Sequence, residues 1–104
     1  MNVIVIDFKN INSRKDFYLQ LRKKCELPEY FGDNLDALWD VLTSGELDFP
    51  LTISFTNFNK NKNGFYRDLY ELLKDAEKET EKNIIFKINR GENKWKRYLY
   101  RSDT

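Results

Sequence analysis

A chain of 104 residues has room for one hydrophobic core, since a second would need roughly another 50 residues, so a single domain over residues 1–104 is expected. With 40% hydrophobic and 34% charged residues, it is too apolar for intrinsic disorder and too punctuated by charge to cross a membrane. The net charge of +1 hides an uneven distribution that argues for electrostatic recognition of a partner: residues 26–48 carry seven acidic groups and no Lys or Arg, residues 9–24 carry +5, and residues 87–104 carry +4.

The chain has no histidine, which removes the commonest general base, the Ser/His/Asp arrangement and most zinc sites, and the reading is of a non-enzyme without metal or cofactor. Cys25 is the single cysteine; it cannot form an internal disulfide, has no histidine to activate it, and is read as structural. The opening MNVIVIDF shows no basic n-region, apolar h-region or cleavage site, and cytoplasmic residence is expected.

In chain order, Val3-Ile4-Val5-Ile6 reads as a first strand, buried on both faces as in a parallel sheet. Ser13 and Asp16 form a capping pair for a helix over about 14–25, with Phe17, Leu21 and Cys25 on one face and Pro28 as its stop. Asp33 or Asn34 can cap a second helix, which Ser44-Gly45 ends after Thr43. Leu51 to Phe55 alternates as a second strand, and Asn57 to Gly64 is a polar loop. Phe65, Leu69, Leu72, Leu73 and Ala76 make the apolar stripe of a long helix over about 64–81, and Ile84 to Ile88 is the third strand. The order β-α-α-β-α-β predicts an α/β fold, a small three-stranded parallel sheet with right-handed helical crossovers. Residues 89–104 form a C-terminal extension whose Lys94 to Tyr100 stretch can add an edge strand.

The acidic segment is concentrated in LPEYFGDNLDALWD, residues 27–40, which also holds two aromatics expected at the surface, Tyr30 and Phe31. On a helix at about 100° per residue, Leu35, Leu38 and Leu42 face the core, while Asp36, Trp39, Asp40 and Thr43 form a second stripe facing outward. Capping explains Asp33, and the positive end of the helix dipole suits Asp36. Neither explains Asp40, which repels Asp36 from one turn away, nor Trp39 between the two carboxylates. An aromatic flanked by like charges is suited to the centre of an interface with a basic partner. Glycosidase chemistry would need a deep cleft that so small a domain lacks, and the aspartate spacing is not that of a calcium loop.

The same fourteen residues, followed by Phe49-Pro50 and the strand LTISF, resemble the barstar family, intracellular inhibitors of secreted barnase-type ribonucleases. The resemblance covers residues 1–88 and implies the same element order and a second helix that, with its preceding loop, plugs a nuclease active site. It implies that Tyr30 packs on the nuclease's catalytic groups, that Asp36 and Asp40 take its phosphate-binding sites, that Trp39 stands beside them, and that Gly32 and Asn34 lie in the presenting loop. Asp75 falls, by spacing alone, at a further acidic contact. Phe31 and Asp33 differ from the residues usual in the family's loop. The partner so implied is a basic ribonuclease or nuclease toxin domain, with the protein acting as an immunity protein or antitoxin. The chemistry is consistent: a ribonuclease holds phosphate with Arg and Lys, and a carboxylate can accept the same hydrogen bonds, with Asp40 the leading mimic. A second reading is an RNA- or ribosome-binding module using Lys94, Trp95, Lys96, Arg97, Tyr98 and Arg101, where cations interleaved with aromatics could hold phosphate and stack bases.

Overall fold

The computed structural model describes residues 2–27, 31–45 and 47–89. Three strands, β1 (Asn2–Asp7), β2 (Leu51–Thr56) and β3 (Ile84–Asn89), form one parallel sheet in the order β1-β2-β3. Three helices connect them: α1 (Arg14–Cys25), α2 (Leu35–Thr43) and α3 (Gly64–Glu79). The α/β class, the parallel sheet and the element order are as expected. The basic, aromatic tail from residue 90 onward, with its expected edge strand, lies outside the described residues.

The register aligns like with like across the sheet. Ile4, Ile53 and Phe86 form one row and Ile6, Phe55 and Ile88 the next, and these rows belong to the face on which the core is built. On the opposite face Val3, Thr52 and Ile85 are neighbours, followed by Val5, Ser54 and Lys87. The expectation that β1 is buried on both faces is corrected here: Val3 is 57% and Val5 43% exposed. The apolar run misleads because β1 is an edge strand, and residues of all three helices join a core cluster with only one of its faces.

Phe8 is the hub of that core. Its ring centroid lies 4.7 Å from Phe55, 4.8 Å from Phe58, 5.1 Å from Tyr66 and 5.8 Å from Phe17. Phe58 sits in the stretch read as a polar loop and is nevertheless buried, as is Tyr66 beside the expected stripe of α3. The helix ends are built by local hydrogen bonds: Ser13, Asn34 and Asn63 accept from the amides of Asp16, Ala37 and Tyr66. Asp16 reaches back to the Asn12 amide at 3.0 Å, one residue before the position a regular capping box would use. Helix α1 ends with Glu26 in the left-handed region at φ 53°, where its amide donates to the Arg22 carbonyl. The helix therefore stops just ahead of Leu27, which Pro28 would hold out of helical conformation.

Candidate functional site

The candidate surface begins where the chain leaves α1 and enters α2. Asn34 caps α2, accepting from the Ala37 amide at 2.8 Å, while its own amide donates to the Gly32 carbonyl at 2.7 Å. Of the two caps the sequence left open, Asn34 is the one used. A side chain at Gly32 would crowd the cap, because a Cβ there would lie 3.1 Å from the Asn34 amide nitrogen Nδ2, which would have to give by a few tenths of an ångström.

Asp33 is released from capping and turned back toward α1. Arg22 Nε donates to Asp33 Oδ1 at 3.0 Å, and a terminal nitrogen of the same guanidinium lies 2.9 Å from that oxygen. That terminal nitrogen also donates to the Phe31 carbonyl at 2.7 Å, and the guanidinium carbon sits 5.5 Å from the centroid of the Phe31 ring. The expectation that Phe31 is a surface aromatic is corrected: it is 4% exposed, packed 6.2 Å from Tyr18, and presents no ring to a partner. Arg22 holds its carbonyl, Tyr18 packs beside its ring, and a large aromatic side chain gains most by burial.

Along α2, Leu38, Val41 and Leu42 are buried, and Leu35 packs against the core at its edge. Asp36 and Asp40 are exposed on the outward stripe, with Trp39 half-buried between them. Among the described residues, no hydrogen bond or ion pair engages the carboxylate of Asp36 or of Asp40. Thr43 donates its hydroxyl to the Trp39 carbonyl at 2.8 Å, a bond within the helix that seats the end of the stripe. The structure therefore brings Asp36, Trp39, Asp40 and Thr43 together on α2, with Gly32, Asp33 and Asn34 at its entrance. Asp75 is exposed on α3, a helix packed against α2. Tyr30 lies outside the described residues.

A groove of about 460 Å³ runs between the starts of α2 and α3 and is lined by Arg14, Tyr18, Asp33, Asp36, Phe65 and Asp68 among others. Arg14 stacks 5.3 Å from the Phe65 centroid at its edge. Burial pushes the Tyr18 phenol up to about 12, helped by the charge of Asp33 and opposed by Arg14. Burial likewise holds the Cys25 thiol up to about 11, which fits a structural cysteine. Among the described residues no cluster of three or more acidic or thiol groups could hold a metal ion, and no helix is long and apolar enough to cross a membrane.

Arg22 is the candidate that the sequence does not single out, since there it is one of the six cations that give residues 9–24 their charge of +5. Its signal was its position one turn after Tyr18, on the side of α1 that turns toward the core, and the choice of arginine there.

The family model described as Barstar (barnase inhibitor) matches residues 1–90. A Bacillus subtilis (strain 168) protein named "Putative ribonuclease inhibitor YrdF" is 37% identical over 82 residues, covering 76% of this chain and 89% of that protein.

Proposed function

The chain belongs to the barstar (barnase inhibitor) family, and from that premise we propose that it is an inhibitor that binds a basic ribonuclease one-to-one and blocks its active site with the outward stripe of α2 and the loop before it. The observation that carries this reading is the pair Asp36 and Asp40, exposed one turn apart on α2 with Trp39 between them. Side chains at this spacing lie about 5–6 Å apart at Cβ, and although the helix dipole favours Asp36, the fold gains nothing from adding a like charge at Asp40. A nuclease active site gains a great deal. Its Arg and Lys groups are arranged to hold phosphate, and each carboxylate offers two acceptor oxygens in a plane that suits a guanidinium.

Occlusion needs more than two carboxylates. A stable interface buries roughly 600 Å² or more on each side. Trp39 supplies the apolar centre, Gly32 and Asn34 shape the approach, and Tyr30, Thr43 and Asp75 extend the contact. The protein needs no chemistry of its own: it excludes RNA by occupying the groups that would bind it.

Calorimetric titration into a barnase-type ribonuclease at low and moderate salt, with residual cleavage of RNA measured in parallel, tests the proposal. Tight one-to-one binding that weakens with salt, abolishes cleavage and collapses in Asp40→Ala is expected. Unchanged affinity in Asp40→Ala would remove the core of the mechanism.

A further inference from the structure

We infer that Arg22 is a positioning residue for recognition, a latch from α1 that sets residues 31–34 ahead of α2 in their binding shape and offsets the charge of Asp33. The binding consequence rests on the inhibitor reading above; the latch itself does not.

One guanidinium holds the loop at two points. It meets the Asp33 carboxylate through two nitrogens, at 3.0 and 2.9 Å, and the Phe31 carbonyl at 2.7 Å, so it grips the residues on both sides of Gly32. Its plane also lies near the buried Phe31 ring. An isolated exposed ion pair contributes little, because two flexible side chains must be ordered to make it. Arg22 differs: its side chain is 31% exposed, its donors form a rigid fork, and one of its acceptors is a backbone carbonyl. The neutral alternative, a solvated arginine with Asp33 left to cap α2, is not what the structure adopts, since Asn34 caps the helix.

From Arg22 the order is passed on by short contacts. Phe31 is fixed by its carbonyl and its ring, Gly32 accepts from the Asn34 amide, and Asn34 caps α2. Residues that would otherwise lose backbone freedom only on meeting a partner have lost it on folding, which favours binding. With its Oδ1 engaged by Arg22, Asp33 serves the loop's shape while its side chain stays 46% exposed, and Asp36 and Asp40, unpaired among the described residues, are left for the phosphate sites.

The test combines Arg22→Gln, Asp33→Asn and the double variant with two readouts. The first is hydrogen exchange of the free protein over peptides spanning 27–35. The second is the association and dissociation rates with a barnase-type ribonuclease, with Asp40→Asn as the reference for lost phosphate mimicry. Faster exchange is expected in 27–35 alone for either single variant, with β2 and α3 unchanged. Affinity should fall about tenfold or more, the scale of freeing one or two backbone residues, and the double variant should lose no more than Arg22→Gln by itself. Exchange over 27–35 that is unchanged, or that rises evenly with the whole molecule, overturns the latch, and so do strictly additive affinity losses. If Arg22→Gln does not fold, Asp33→Asn, which leaves the arginine in place, carries the same test. Undiminished binding in Asp40→Asn would instead overturn the inhibitor reading, and loop exchange would still decide the latch.

Discussion

Replacing Asp40 by Asn should make the free protein more stable while disabling it. Asp40 opens the last turn of α2, which contains no basic residue, so its charge stands at the negative end of the helix dipole. It also sits four residues from Asp36, which the dipole at the other end favours. Removing the charge relieves a like-charge pair worth about 0.2–0.5 kcal/mol and an unfavourable dipole contact worth about 0.3–1 kcal/mol at low salt. Asp40 is exposed, so the lower part of the combined range applies, about 0.5–1 kcal/mol, or about 2–8 °C in melting temperature for a domain of this size. Asn and Asp have similar helix propensities, so the exchange tests charge and little else. Thermal and urea unfolding of the parent, Asp40→Asn and Asp36→Asn in low salt, repeated at about 1 M salt where screening acts within about 3 Å, measures this directly. Asp36→Asn should be near neutral, since it loses its dipole contact as it relieves the same repulsion. A less stable Asp40→Asn, or a gain that persists undiminished in high salt, would show that Asp40 serves the fold and refute the argument that it is retained for recognition.

Phe8→Ala should cost about 3–5 kcal/mol in urea unfolding, because it empties the hub of four ring contacts; a loss under about 1 kcal/mol would mean that the core collapses around the gap. Stability should hold to about pH 9 and decline toward pH 12, because burial holds the Cys25 proton to about 11 and that of Tyr18 to about 12 while the unfolded chain releases them earlier, near 9 and 10. A pH series of urea midpoints, with Tyr18→Phe flattening the upper part of the decline, checks the sign. Exchanging Lys15 and Lys23 for Glu should raise the association rate with a basic nuclease more at 0.01 M ionic strength, where charges are felt across about 30 Å, than at 0.15 M, where the range is about 8 Å. Stopped-flow rates at the two salt concentrations decide it, and an equal gain at both would count against screening of the basic helix.

Sequence carried the fold wherever periodicity and capping agreed. Ser13 is legible because a short polar side chain ahead of an apolar repeat has one obvious use, whereas Asp33 and Asn34 compete for the same use and only the structure decides for Asn34. The outward stripe of α2 was legible for a similar reason: at helical spacing Leu38 and Leu42 go inward, and Asp36 and Asp40 must then face solvent. What periodicity could not reveal was which partners the tertiary structure brings from a distance. Phe58 stands among asparagines and lysines, yet the Phe8 and Tyr66 rings meet it in space. Val3 and Val5 look like core residues, and they are exposed because β1 is an edge strand and they stand on the face of the sheet away from the core cluster. Phe31 and Asp33 were misjudged together, because both answer to Arg22, eleven positions before Asp33.

That long-range pairing changes how the charge of the proposed binding face should be counted. The sequence places −7 between residues 26 and 48, but a partner responds to the charge it can approach, and Asp33 is already matched by Arg22. The same pairing turns one of the cations of α1 inward, which softens the contrast between the basic helix and the acidic one. At physiological ionic strength charges beyond about 8 Å are largely screened, so the net charge of +1 says little about attraction to a cationic nuclease. Asp36 and Asp40 can dominate a close encounter even on a nearly neutral chain. The geometry of α2 and its loop then matters more than the sum of charges, and the residue that holds that geometry is itself a cation.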